Sequence, residues 1–561
     1  MKKFLSLVLA LVMTMSLVTV SAGAKDFTDN SKIAYDEAVD VMSAVKVIDG
    51  YADGSFNPSA TLTRGAAAKI ICNLILGPTT ASALVADAAP YKDVPTNHTF
   101  AGYIAYCQKT GIISGYADGT FKPANSLTGY AFMKMLLGAL GYKADQEGYT
   151  GANWSIQVAK RALNIGLADD LVGDFNGVKA VTREEACLYA FNMLQATMVE
   201  YDKNSTVIVG NITIKEQSDA KDMTNTGKTD GNIDKDGKMQ FAEKYFEDLK
   251  KFGATDDFSR PATQWKIKAE EVGTYTTTPD QTYTKKVEAG DIYKDLGLGS
   301  KIEKKDVSVY VDGVVDPENK IVPIAITKDN DDDSYGANGV LTEVYYQKDA
   351  DTIVIAQTIT YFGEISKTVK ATDKKDAYIV VATSVDGSNK PAGAQGTEEF
   401  ETDEKFADEA KVLYTYSERD GVEEIKSVEL AKEVTGTVTK VKNDSKDESN
   451  SGLTLAGTEY KAANIMAKSL LSAISVNLDY TAYIDAYGYV ISVSEEDYKD
   501  YALVLEIEGE YEAGFNTNRA KLLFTDGTTK IVTTDKDYAA KKDMKQNQIV
   551  TFKVNDDGEY T

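Results

Sequence analysis

Apolar residues return at helical spacing three times between residues 60 and 200. The first run is Ala66, Ala67, Ile70, Ile71, Leu74 and Ile75, and the second is Ala131, Phe132, Met135, Leu136, Ala139 and Leu140. A third, Ala186, Cys187, Ala190, Phe191 and Leu194, keeps the same stripe. This pattern predicts helices that each bury one face. A threonine stands at every N-cap position, as Thr63, Thr128 and Thr182, and Thr182-x-x-Glu185 completes a capping box. Beyond Trp265 the period becomes two. Val307-Ser-Val-Tyr-Val311 and Leu503-Val-Leu-Glu-Ile507 alternate, and Thr, Tyr and Val dominate. These segments predict strands, with Asp526-Gly527 as a tight hairpin turn. The chain thus reads as multidomain, mainly α at its N-terminus and mainly β over its C-terminal two-thirds.

The helical runs belong to a repeat. Asp49-Gly-Tyr-Ala-Asp-Gly-Ser-Phe56-Asn-Pro58 returns as Ser114-Gly-Tyr-Ala-Asp-Gly-Thr-Phe121-Lys-Pro123, which puts Gly50 and Gly115 at equivalent places. Each loop precedes a helix start in the same register, Leu62-Thr63-Arg64 and then Leu127-Thr128-Gly129, and the start returns as Val181-Thr182-Arg183. A fixed period means stacked units, none of which buries its apolar face alone. Asp53-Gly54 and Asp118-Gly119 are expected to make tight turns, with Phe56 and Phe121 packing back on the helices. The β-region repeats as well. Tyr361–Lys367 resembles Val434–Lys440, and the endings Leu413–Tyr416 with Ile425–Val428 match Tyr480–Tyr483 with Val490–Val493. A third copy opens near Tyr501 and reaches Val554, but its Asp557-Gly558 turn is followed only by Glu559, Tyr560 and Thr561. The expectation is a module lacking its closing strand, and a truncated chain.

Composition narrows the function classes. Lys2 and Lys3, an apolar run to Val20 and Ala22-Gly-Ala24 read as a secretory signal peptide over residues 1–24. No later segment has the ~20 apolar residues of a membrane span. Net charge is −25, which disfavours nucleic acid as a partner. Three cysteines, Cys72, Cys107 and Cys187, fall in helical stripes without a C-x-x-C pair and read as buried, inert thiols. His98 is the single histidine, which removes histidine-dependent triads from most of the chain. No catalytic motif is found, and the reading is non-enzymatic.

Residues 26–200 resemble the S-layer homology domain, a family usually built of three tandem repeats. The resemblance rests on the two Gly-Tyr-Ala-Asp-Gly loops, the Thr-Arg helix starts and the aromatic-x-Asp openings Phe27-Thr-Asp29 and Tyr91-Lys-Asp93. It implies a helix-loop-helix triad with pseudo-threefold symmetry that binds secondary cell-wall polymers, often pyruvylated, on Gram-positive envelopes. Arg64 and Arg183 stand at a first helical position, where the macrodipole disfavours a cation unless an anion joins it. They are the expected anion contacts, with pairing to Glu184 or Asp49 as the alternative. Trp154, Asp29 and Asp93 complete the implied polysaccharide-binding set. The chain departs from the family where Gly129 replaces the second arginine, where Ala34 and Thr99 stand in the tryptophan position, and where Gly173–Gly177 replaces the third loop.

The divisions read from sequence are repeats at 25–86, 87–144 and 145–200, a polar linker at 201–260, a β-rich domain at 261–356, and β-modules at 357–430, 431–497 and 498–561. Within the linker, Asn232, Asp234, Asp236 and Glu243 match positions 1, 3, 5 and 12 of a calcium loop, with Gly237 at the turn. Calcium is the one cofactor suggested. The function expected is an exported, self-assembling S-layer-type protein anchored non-covalently to the cell wall, its modules forming a bead-like spacer. The alternatives are a wall-anchored polysaccharide-active enzyme and an adhesin.

Overall fold

The computed structural model describes residues 27–202, 206–209, 212–215, 218–315, 322–372, 375–385, 388–402, 404–466, 468–495, 501–507, 519–534, 545–555 and 558–561. The expected signal peptide lies outside them. No helix among the described residues is long and apolar enough to cross a membrane.

The N-terminal region holds α1 (Asp36–Ala44), α2 (Arg64–Leu76), α3 (Ala101–Lys109), α4 (Gly129–Leu140), α5 (Trp154–Asn164) and α6 (Arg183–Gln195). Helices α2, α4 and α6 begin where the threonine caps predict. Thr63, Thr128 and Thr182 each accept from the amide three residues on, and Glu185 returns the bond to the Thr182 amide at 2.8 Å. Just before these caps, three extended residues meet. Leu62 N donates to Val181 O at 2.8 Å, Val181 N to Leu127 O at 2.9 Å, and Leu127 N to Leu62 O at 2.8 Å. The three bonds close a ring, and Leu62, Leu127 and Val181 are all buried.

The described residues from 218 to 260 are not a free linker. Met198 N donates to Met239 O, Met239 N to Met223 O, and Phe241 N to Ala196 O. Phe241, Ala242 and Leu249 are buried in the same core as the helices. A few apolar residues at the right places suffice to dock a segment whose average composition is polar. Strands β1 (Leu249–Thr255), β2 (Pro261–Ile267) and β3 (Glu270–Thr276) then form an antiparallel sheet against α1 and α6. Trp265 is fully buried, stands edge-on to Phe191 at 5.3 Å, and donates its indole N–H to Glu37 at 2.6 Å. Tyr275 donates to Asp40 at 2.8 Å.

Four sheets of four or five strands follow among the described residues, besides a short pairing of Val287–Glu288 with Ser334–Tyr335. The first orders β4 (Gln281–Tyr283), β5 (Val307–Val311), β6 (Val340–Gln347) and β7 (Thr352–Ile359) as β5-β7-β6-β4, with β5 and β7 parallel. Next come β8 (Tyr361–Val369), β9 (Tyr378–Ala382), β10 (Thr397–Glu401), β11 (Lys411–Ser417) and β12 (Glu424–Leu430), ordered β10-β9-β8-β11-β12. The same order recurs as β15-β14-β13-β16-β17 in β13 (Lys432–Lys442), β14 (Gly452–Leu455), β15 (Thr458–Lys461), β16 (Asp479–Ile484) and β17 (Val490–Glu495). Among the described residues the last sheet repeats four of these places, as β20-β19-β18-β21, with β18 (Tyr501–Ile507), β19 (Arg519–Phe524), β20 (Thr529–Thr533) and β21 (Ile549–Thr551). The two segments that resemble each other in sequence, at Tyr361 and at Val434, lie in the central strands β8 and β13.

The sheets up to residue 495 do not stand apart like beads. Phe362 and Leu413 share a core with Ala463, Tyr483 and Ile491, and the Phe362 and Tyr483 rings lie 4.8 Å apart. Asn338 donates across a second seam to Ala462 O and Ser449 O. At a third, Arg260 pairs with Asp256 at 2.6 Å and Glu343 at 3.2 Å, all three buried. Buried ion groups of this kind contribute little net stability but penalise any other register, because separating them strands a charge. Asp312 and Asp485 are also buried at seams. Asp312 accepts from Ile359 N and the Tyr361 hydroxyl, while Asp485 accepts from the amides of Tyr487 and Tyr489 and lies against Gly339. Burial pushes both carboxyls up to about 7.

Two outcomes follow from this packing. Trp265→Ala should cost about 3–5 kcal/mol in denaturant unfolding of the helical region, read through Trp154, the one other tryptophan. For Asp312 and Asp485 the folded pKa lies above the unfolded one, so the folded state holds the proton more tightly. Their stabilisation is full below about pH 4 and is lost as pH rises towards 7. Calorimetry of Asp312→Asn plus Asp485→Asn should therefore show a smaller fall in Tm from pH 5 to pH 8 than the parent chain.

Candidate functional site

The ring of backbone bonds fixes how each helix start meets the next loop. Arg64 N donates to Asn125 O and Gly65 N to Pro123 O, both at 2.9 Å. Gly129 N and Tyr130 N donate to Lys179 O and Gly177 O, and Arg183 N and Glu184 N to Ala60 O and Pro58 O. With the third amide taken by the threonine cap, the first helix donors are already satisfied. The amides expected to meet an anion are therefore not available. An anion here has to be met by side chains.

Both arginines reach across to a neighbouring loop. Arg64 Nε donates to Phe121 O at 2.8 Å and Nη2 to Ser114 O at 3.4 Å, and the guanidinium lies over the rings of Phe121 (4.3 Å) and Tyr116 (5.0 Å). Arg183 repeats this on the first loop. Its Nε and Nη2 donate to Phe56 O and Asp49 O, each at 2.9 Å, and the group lies over Tyr51 and Phe56. The Asp49 contact is to the backbone carbonyl, so the carboxylate pairing does not form. Cation–ring contact and two carbonyls hold each guanidinium in place without cancelling its charge. At Gly129 no such clamp exists; Phe175 and Gly177 close against the glycine instead.

Asp29 and Asp93 hold the loops. Asp29 accepts from Phe56 N at 2.7 Å and Asn57 N at 2.8 Å, and Asp93 from Phe121 N and Lys122 N, both at 2.7 Å. The Phe56 amide foremost lowers the Asp29 pKa. At Asp93 burial pushes upward, but the two amides outweigh it and the net direction is down. Each of the four carboxylate oxygens takes one loop amide, so both groups fix the loop.

Arg64 faces a cleft of about 400 Å³ between the second loop, α4 and the start of α5. Its walls include Ser114, Tyr116, Tyr149, Trp154 and Lys134. Lys134 was not singled out by sequence. It lies 5.4 Å over the Trp154 ring, half-buried, and burial lowers its pKa. Neither Arg64 nor Lys134 forms an ion pair with a carboxylate among the described residues, although the Asp93 charge acts on Arg64 from further off. The one available signal was its place on the polar side of the α4 stripe, a position that lysines occupy for many reasons. Trp154 and Arg64 thus come together in one site, whereas Arg183 stands at a different junction.

The calcium loop does not assemble. Glu243 is buried, with Oε1 accepting from the amides of Gly231 and Ile233 and Oε2 from Asn225. Asn232 turns its amide donor to Glu247 O, and Asp236 accepts from Lys238 N and Gln240. Among the described residues no group of three or more His, Cys, Asp or Glu is placed to hold a metal, so Asp234, Asp236 and Glu243 do not converge, and the Asn232 side chain is turned to Glu247. Local turn chemistry and the docking of Phe241 use the same side chains.

If Arg64 clamps the second loop, Arg64→Ala should lower the stability of the helical region by roughly 1–3 kcal/mol. Arg64→Lys, which keeps the charge and loses the fork, should recover less than half of that in a denaturant titration.

The family model of the S-layer homology domain matches residues 26–68 and 90–129. A surface layer protein of Brevibacillus choshinensis is 29% identical over 150 residues, 26% of this chain and 13% of its own length. A middle cell wall protein of Brevibacillus brevis is 25% identical over 217 residues, covering 38% and 20%. An uncharacterized cell wall amidase of Bacillus anthracis is 28% identical over 172 residues, covering 29% and 31%. The chain thus spans less than a third of the length of each of these relatives. These matches fall on the segments that form the loops and helix starts described above, and it is there that the chain carries S-layer homology domains.

Proposed function

We propose that the helical region is a three-repeat anchoring unit that holds the protein non-covalently on an anionic secondary cell-wall polysaccharide, outside the cell. The carrying observation is the cleft in which Arg64 and Lys134, two cations that form no ion pair with a carboxylate among the described residues, share space with Trp154. A half-buried cation without a paired counter-charge is costly, and a ligand anion removes the cost. The aromatic face suits the apolar side of a sugar ring, and the guanidinium suits a carboxylate or phosphate on it. A pyruvate ketal supplies such a carboxylate beside the ring. The junction at Gly129 lacks an arginine, so the junctions are unequal and the cleft at Arg64 is the principal one.

On this reading the β-region is the outward body of the protein, available for assembly with further copies, and it carries no catalytic role. Its acidic surface keeps it soluble and repels the anionic wall.

The test is binding of purified, soluble cell-wall polymer to the full chain. Lys134→Ala, which removes no clamp of the fold, should weaken binding about ten- to a hundred-fold with little change in Tm, and Trp154→Ala should weaken it as much while lowering Tm through its lost packing on Tyr130. Binding that persists undiminished in both variants would remove the cleft from the account.

A further inference from the structure

We infer that Cys72 and Cys107 form a disulfide that staples α2 to α3 when the chain folds under oxidising conditions. Cys72 lies in α2 and Cys107 in α3, and their sulfurs are 3.6 Å apart across the contact between the two helices. Both are completely buried. To reach the ~2.05 Å of a disulfide each sulfur has to move by roughly 0.8 Å, which a small side-chain rotation supplies. Little is lost when the thiols go. Cys72 Sγ donates to Tyr103 O at 3.5 Å and Cys107 Sγ to Ala68 O at 3.7 Å, and both carbonyls lie within helices. The third thiol, Cys187, is buried in α6 and has no part in the pair.

The chemistry is exchange with a small-molecule disulfide. The Cys72 thiolate attacks one sulfur of the external disulfide and expels one thiolate. Cys107 then attacks the mixed disulfide at the Cys72 sulfur and expels the second. Two protein thiols are oxidised to one protein disulfide, one external disulfide is reduced to two thiols, and the two protons leave on the released thiols. In the folded chain this exchange is blocked. Hydrogen bonding to Cys107 and burial hold the Cys72 thiol protonated, and the sulfur is out of reach of the oxidant. The bond therefore forms during folding, before α2 and α3 close. Once made, it ties the helix that carries Arg64 to its neighbour and shortens the loop available to the unfolded chain.

The experiment refolds the full chain from denaturant with a mixture of oxidised and reduced glutathione, in parallel with a fully reduced sample. Alkylation in denaturant followed by mass spectrometry counts free thiols, and peptide mapping identifies the linkage. One alkylated cysteine, Cys187, and a Cys72–Cys107 cross-linked peptide are expected, with Tm raised by several degrees over the reduced sample. Cys72→Ser should show two alkylated cysteines and no rise in Tm. The already folded, reduced chain should acquire the bond at least about ten-fold more slowly than the refolding chain. Three alkylated cysteines after oxidative refolding, a cross-link involving Cys187, or glutathione adducts without the internal bond would each overturn the inference.

Discussion

Three backbone hydrogen bonds, from Leu62 to Val181, from Val181 to Leu127 and from Leu127 to Leu62, decide the geometry of the helical region. Each joins segments far apart in sequence, and each sits immediately before a capped helix. Closing the ring places every helix start against the loop of the next unit, and the loop carbonyls take the amides that a helix end otherwise leaves unpaired. A helix terminus that is usually an anion site is here a piece of joinery. The charge of Arg64 and Arg183 is left over from that joinery, because carbonyls and aromatic faces hold the guanidinium without neutralising it.

The junctions then differ by single residues. With Arg64, Lys134 and Trp154 the first is a cationic cleft with an aromatic wall. With Gly129 the next closes on Phe175 and Gly177 and has no charge to offer. Repeated backbone contacts thus coexist with a large difference in the side chains at the junctions, and the loop motif marks only the former. Asp29 and Asp93 illustrate the point, since each carboxylate is taken up by two amides of its own repeat's loop.

Much of this was legible in the residues. The helix starts at Thr63, Thr128 and Thr182 were readable because capping and the apolar stripe act within a few residues of each other. Strand Val307–Val311 and the turn at Gly527 were readable for the same local reason. What the sequence hid was long-range. Residues 201–260 read as linker because their average is polar, yet Phe241, Leu249 and then Trp265 bind the segment to the helical core. The Trp265–Glu37 bond shows how far along the chain that docking reaches back. The acidic pattern around Asp236 matched a calcium loop by spacing, while the turn itself had already claimed Glu243. Lys134 carried no motif, and only the cleft identifies it. The modules were legible as repeats, but their contacts through Phe362 and Tyr483 were not, since buried aromatics in strands look alike whether they face one sheet or the next.

The most direct measurement is a crystal structure of the chain with a short, acid-released fragment of the cell-wall polymer. The anionic group is expected between Arg64 and Lys134, with the sugar ring over Trp154 and the Phe121 and Ser114 carbonyl bonds to Arg64 intact. A fragment seated at the Gly129 junction or on the β-sheets, with the Arg64 cleft empty, would contradict it.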